Sequence, residues 1–268
     1  MPSEGVKPLA IEAKDLTVKF PMRGGVLGKV RDYFTAVDGV SFSLEEGKIL
    51  SIVGESGCGK STLVKSLVGL VPLSSGSFSL FGSAVSNGKL SDGKRVCDLM
   101  QMVFQDPFSS LNPRQTVSEI LTTPLMARGT NFDNAKKRAC ELLDRVSIPH
   151  GAMDKFPHEF SGGQRQRLCI ARSLMVSPKI LLCDEVTSAL DVSVQAQILH
   201  LLDDLRHDLG LSIVFISHDM QVVRAISDDV LVMYFGKVVE RGATDVVLTD
   251  PQHEYTKKLL SCVPTIKR

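Results

Sequence analysis

The stretch Gly54-Glu-Ser-Gly-Cys-Gly-Lys-Ser61 constrains this chain more than any other. It follows the apolar run Ile49-Leu50-Ser51-Ile52-Val53, and Thr62, Leu63, Val64, Leu67 and Val68 after it fall on a helical pattern. Strand, glycine-rich turn and helix in that order fit G-x-x-x-x-G-K-[ST], the pattern of a phosphate-binding loop. Glycines at 54, 57 and 59 let the backbone curl so that successive N–H groups point inward at phosphate oxygens. The helix N-terminus adds its partial positive charge. Lys60 has the reach for the β- and γ-phosphates, and Ser61 has a hydroxyl for Mg²⁺. Ser56, Cys58 and Thr62 complete the expected binding loop. Cys58 reads either as an alkylation-sensitive thiol or, preferably, as a small residue that the loop tolerates.

The rest of the chain alternates strands and helices. Residues 11–20 and 40–44 alternate apolar and polar, as half-buried strands do, and the basic, Gly-rich stretch 21–34 between them reads as an exposed loop. Thr116 and Glu119 form a capping-box pattern, and a second helix is expected near Asp133 with Ala135, Ala139, Leu142, Leu143 and Val146 on one face. Residues 180–183 and 211–216 read as buried strands. Between them lies a helix carrying Ile198, Leu199, Leu202, Leu205 and Leu209 and closed by Gly210. Residues 230–239 read as a hairpin. Alternation of this kind implies a mainly parallel sheet faced by helices. Thirty-one basic against thirty acidic residues leave a formal charge of +1, which excludes a broad nucleic-acid stripe or a polybasic membrane anchor. No run of eighteen apolar residues occurs, and the N-terminus lacks a secretory core. The six cysteines form no C-x-x-C pair, which suits a reducing cytosol rather than a disulfide framework or a zinc site.

A magnesium-nucleotide site needs a carboxylate at a neighbouring strand end. Asp184, after Ile180-Leu-Leu-Cys183, is placed to hold the metal directly or through water, and Glu185 to orient or deprotonate an attacking water. Gln105, after a strand-like run, offers an amide to Mg²⁺ or water. Ser161, Gly162, Gly163 and Gln164 open a helix with a second phosphate-binding geometry. One nucleotide does not need two such loops from one subunit, so Ser161 is expected to meet the γ-phosphate of ATP held by another. Asp191, in Ser188-Ala-Leu-Asp191, is expected at that interface, and His218 is expected to hydrogen-bond the γ-phosphate and position Glu185. Arg165, Arg167 and Arg172 read as a solvated helix face rather than phosphate ligands.

In this joint order the motifs resemble those of the ATP-binding cassette transporter ATPases, over residues 9–260. QMVFQDPFSSLNPRQTV, DEVTSALDVSVQAQIL and the tail DPQHEYTKKLL resemble the oligopeptide/dipeptide/nickel importer branch. The resemblance implies an α/β fold: a P-loop NTPase (RecA-type) core with a mainly parallel sheet, an antiparallel β subdomain and an inserted α-helical subdomain. Core and β subdomain are expected at 9–105 and 177–245, the helical subdomain at 106–176, and a short extension at 246–268. It implies ATP and Mg²⁺, and hydrolysis to ADP and phosphate coupled to uptake of di- or oligopeptides. A nickel or other metal complex as cargo, or a cassette ATPase of DNA repair or translation, are the alternatives. Implied partners are a second ABC ATPase subunit, identical or homologous, two integral membrane permease subunits and, indirectly, a solute-binding protein, with no nucleic acid. The implied location is peripheral, at the cytoplasmic face of the inner membrane. The family stacks an aromatic ring on adenine; Phe20 is the first candidate, with Tyr33 and Phe34 as alternatives. Three departures stand out. Phe160 takes a position usual for Leu and Val186 one usual for Pro. Cys262 stands alone in the tail, so no iron–sulfur cluster is expected.

Overall fold

The computed structural model describes residues 8–24 and 29–261. The chain divides into two compact units, one of residues 1–96 and 212–268, the other of residues 97–211. Cys262 lies outside the described residues.

The first unit carries an antiparallel sheet in the order β2-β1-β4-β5-β6. Its strands are β1 (Leu9–Gly24), β2 (Lys29–Glu45), β4 (Ser75–Leu80), β5 (Ser83–Ser86) and β6 (Lys89–Leu90). Ile11, Ala13, Leu16 and Val18 of β1 are buried. The two-residue alternation slips between Ala13 and Leu16, where the pairing shifts register and Asp15 adopts φ 51°. Within the stretch expected as an exposed loop, residues 21–24 and 29–34 are instead paired strand, the outer part of β1 and β2, with Phe20 opposite Phe34, Pro21 opposite Tyr33 and Met22 opposite Asp32. Composition suggested a loop, but cross-strand pairing gives the backbone N–H and C=O groups partners. Residues 25–28 lie outside the described residues.

The same unit holds β3 (Ile49–Val53), β9 (Ser212–Ile216), β10 (Asp229–Tyr234) and β11 (Lys237–Ala243) in the order β11-β10-β3-β9. β3 runs parallel to both neighbours, Val53 opposite Val232 and Ile52 opposite Ile216. β3 and β9 are buried at every position, which explains why all their residues but Ser51 and Ser212 are apolar. The helices of this unit are α1 (Lys60–Leu67), α8 (Met220–Ile226), α9 (Thr244–Thr249) and α10 (Glu254–Ser261). Val53, Val223, Val230, Val232, Val247 and Tyr255 share one core cluster.

α2 (Val96–Leu99) leads into the second unit, where β7 (Met100–Val103) and β8 (Ile180–Asp184) pair in parallel from Met100 opposite Ile180 to Val103 opposite Cys183. Around them lie α3 (Pro107–Ser110), α4 (Val117–Met126), α5 (Phe132–Arg145), α6 (Gly162–Leu174) and α7 (Val192–Leu209). The caps follow local rules. Thr116 and Glu119 form the reciprocal capping box, and Gly210 closes α7 at φ 63°. Among the described residues no helix is long and apolar enough to cross a membrane.

Candidate functional site

In the first unit the loop Gly54–Ser61 joins the end of β3 to the start of α1. Two of its glycines are fixed by packing as well as by curvature. Gly54 has φ 147°, and a Cβ there would lie 2.2 Å from the carbonyl oxygen of Met233 in β10. Gly59 has φ 107°, and its Cβ would lie 2.2 Å from the carbonyl oxygen of Ala36 in β2. Neighbouring backbones therefore press on the loop from two sides. Gly236 N–H donates to Cys58 O at 2.9 Å and adds a tie.

Lys60 is only 4% exposed. Its ammonium donates to Gly54 O at 2.8 Å and Glu55 O at 2.9 Å, with Cys58 Sγ at 3.9 Å. None of these groups carries the negative charge that a buried ammonium ordinarily needs. Burial pushes the Cys58 thiol up, against the pull of Lys60.

In the second unit Gln105 and Glu185 follow the ends of the paired strands β7 and β8. Gln105 Nε2 donates to Glu185 Oε2 at 2.8 Å. Asp184 is buried at the last position of β8. Glu185 leaves the strand at φ 49°, unusual for a residue with a side chain, and its carbonyl accepts from Ser188 N–H at 3.1 Å and Ser188 Oγ at 2.9 Å. This turn takes the chain out of the line of β8, and the next residue, Val186, is buried. Asp106, next to Gln105, caps α3 by accepting from Phe108 N–H at 2.8 Å and Ser109 N–H at 3.3 Å. The Phe108 N–H is the main reason its carboxyl lies below the usual range.

The stretch Ser161–Gln164 is also locally built. Ser161 caps α6: its Oγ accepts from Gln164 N–H at 3.3 Å, and Gln164 Oε1 accepts from Ser161 N–H at 3.0 Å. Gly163 lies where a Cβ would come within 2.4 Å of Val194 Cγ1 in α7, whereas a Cβ at Gly162 would make only ordinary contact with Leu190 Cδ2 at 3.8 Å. Asp191 caps α7 through Ser193 and Val194 N–H, a structural duty the sequence reading did not assign to it. Phe160 is buried, as an apolar substitute should be.

The three arginines are not a solvated face. Arg165 lies over the Phe108 ring at 4.1 Å and donates to Pro157 O at 2.7 Å. Arg167 donates to Val146 O at 2.9 Å and Gln197 Oε1 at 3.2 Å, and Arg172 donates to Ser110 O. Their guanidinium groups tie α3, α7, the end of α5 and the turn at Pro157 to α6, a use no local pattern announces. His218 sits exposed between β9 and α8 in the first unit. Phe20 is 40% exposed and pairs across the hairpin with Phe34 at 56%, while Tyr33 stands at 57%.

The Ser61 hydroxyl in the first unit, and the Gln105 amide oxygen and Asp184 carboxylate in the second, are each hard oxygen donors of the kind Mg²⁺ takes together with phosphate oxygens. Among the described residues no group of three or more His, Cys, Asp or Glu side chains gathers to hold a metal alone. A phosphate would supply the negative charge that the carbonyls of Gly54 and Glu55 do not give Lys60.

Strand, glycine loop and buried lysine define a P-loop nucleotide-binding fold of the mixed α/β class. A family model described as ABC transporter matches residues 37–188. The chain belongs to the ABC transporter family. It is 44% identical over 261 residues to the oligopeptide transport ATP-binding protein OppF of Lactococcus lactis subsp. lactis, covering 96% of this chain and 81% of that one. It is 45% identical to the glutathione import ATP-binding protein GsiA of Pectobacterium atrosepticum, over 95% of this chain and 41% of that longer protein. Among solved structures, a dimeric post-hydrolysis state of the ATP-binding cassette MJ0796 bound to ADP and Pi matches with TM-score 0.74 and 27% identity, covering 87% of this chain and 98% of that one.

Proposed function

We propose that this chain is the ATP-hydrolysing subunit of an importer of di- or oligopeptides. It works beside a second ATPase subunit and two integral membrane permease subunits, at the cytoplasmic face of the inner membrane, with a solute-binding protein delivering the cargo. The observation that carries the catalytic part is the Gln105–Glu185 hydrogen bond, which sets an amide beside a carboxylate at the ends of two paired parallel strands. The peptide reading leans on the likeness to the oligopeptide transport protein.

In this reading the loop N–H groups and Lys60 hold the β- and γ-phosphates, and Phe20 is the first choice to stack on adenine. Ser61, Gln105 and Asp184 hold Mg²⁺, which neutralises phosphate charge when bound. Glu185 orients the attacking water and takes its proton, and His218 hydrogen-bonds the γ-phosphate. The Ser161–Gln164 turn, with Asp191 beyond it, serves the ATP held by the second subunit, and residues 106–176 act as a helical subdomain hinged at Gln105.

The test is to purify a tagged Glu185→Gln chain from its native membranes with ATP. Recovery of two integral membrane subunits with a second ATPase is expected. Recovery of ribosomes, nucleic acid or soluble partners alone would overturn the transport reading.

A further inference from the structure

We propose that Tyr255, in the C-terminal helix α10, is a positioning residue for the phosphate loop and sets its nucleotide affinity. Its phenolic oxygen accepts a hydrogen bond from the backbone N–H of Glu55, the second residue of the loop, at 2.8 Å. The inference rests on reading residues 54–61 as the nucleotide cradle.

The contact is built from several sides. Tyr255 is only 7% exposed and shares a core cluster with Val53, the residue immediately before Gly54. Its ring packs on Tyr234 at a centroid distance of 4.1 Å and an interplanar angle of 35°. The segment that presents it is pinned to β11. The Glu240 carboxylate accepts from Gln252 N–H at 2.7 Å and from His253 N–H at 3.1 Å, and His253 Nδ1 accepts from Tyr255 N–H at 3.1 Å. Bonds therefore run unbroken from β11 through residues 252–255 to the loop.

The electrostatics of the loop give this bond its importance. The Lys60 ammonium now braces the first turn through the carbonyls of Gly54 and Glu55. When it turns to a phosphate, that brace weakens. The Tyr255 bond engages the N–H side of Glu55 and does not compete with phosphate for the lysine. It keeps the first turn in shape while Lys60 changes partners, so less ordering remains to be done on binding. The side chain acts through the loop backbone and touches no reacting atom.

The test compares the unaltered chain with Tyr255→Phe, which keeps the ring and removes the acceptor, and with Glu240→Gln, which loosens the pinned segment. Binding of ATP and of ADP, KM and kcat with Mg-ATP, and thermal midpoints without nucleotide are measured. Loss of one hydrogen bond is expected to raise Kd and KM about three- to ten-fold in Tyr255→Phe, with kcat changing less than KM. Glu240→Gln is expected to shift Kd the same way by a smaller factor. Unchanged nucleotide affinity in both variants, whatever happens to the thermal midpoint, would make Tyr255 merely structural and overturn the proposal. Lys60→Ala separates the two readings. If it loses affinity while Tyr255→Phe does not, only the positioning role fails. If both keep wild-type affinity, the cradle reading fails and the role of Tyr255 fails with it.

Discussion

Gln105 and Glu185 are hydrogen-bonded at 2.8 Å, amide nitrogen to carboxylate oxygen, across a sequence separation of 80 residues. The pairing of β7 with β8 brings their ends together, and the turn at Glu185 points its carboxylate toward the amide. The glutamine thus steadies the group proposed to act on water.

Glu185→Gln keeps the size of the side chain but removes its capacity to take a proton. ATP binding should persist while turnover falls about 10²- to 10⁴-fold, the usual contribution of a positioned base. Equilibrium nucleotide binding and phosphate release on the same preparation check this. Near-normal hydrolysis would remove Glu185 from the catalytic role.

The glycines of the loop should differ in their tolerance of a methyl group. At Gly59 the added Cβ meets the Ala36 carbonyl at 2.2 Å, and at Gly54 it meets that of Met233 at the same distance. Alanine at either position should cost about 2 kcal/mol or more, because backbone has to move. At Gly57 nothing lies within 4 Å of the Cβ, so only the positive φ of 81° is penalised, by about 1 kcal/mol. Chemical denaturation of the three variants gives the ranking, and equal losses would contradict it.

Ser161→Arg should leave ATP binding by the separate subunit intact and prevent ATP-dependent pairing. The substitution removes a cap from α6 and adds bulk and charge where a second phosphate is proposed to sit. Size-exclusion chromatography with ATP in a Glu185→Gln background is the assay. Undiminished dimerisation would sink the two-subunit arrangement.

Acid should loosen the C-terminal segment. Burial works to raise the Glu240 carboxyl, but the donors around it, including Gln252 and His253 N–H, prevail and hold it below the ordinary value of 4.5. A depressed folded value means that the stabilisation is complete above pH 4.5 and is lost as pH falls through the folded value. Protection factors of the amides of residues 252–260, taken against the intrinsic exchange rate at each pH, should fall below pH 4.5, and Glu240→Gln should abolish that fall. The same acid response in the variant would place its origin elsewhere.

Local rules made much of this chain legible. The loop 54–61 with its flanking strand and helix, the Thr116–Glu119 box and the Gly210 cap rest on interactions within a few residues, so the sequence carries their physics directly. By itself it determined the parallel α/β class and the residue types of the candidate site. Tertiary structure decided what depends on partners remote along the chain. Residues 21–24 and 29–34 became strand because partner strands offered hydrogen bonds. Arg165, Arg167 and Arg172 became ties because carbonyls and an aromatic ring came within reach. The carbonyls of Ala36 and Met233 close on the loop, and the hydroxyl of Tyr255 reaches Glu55. Such contacts depend on where the folded backbone places distant atoms, and no local periodicity encodes that.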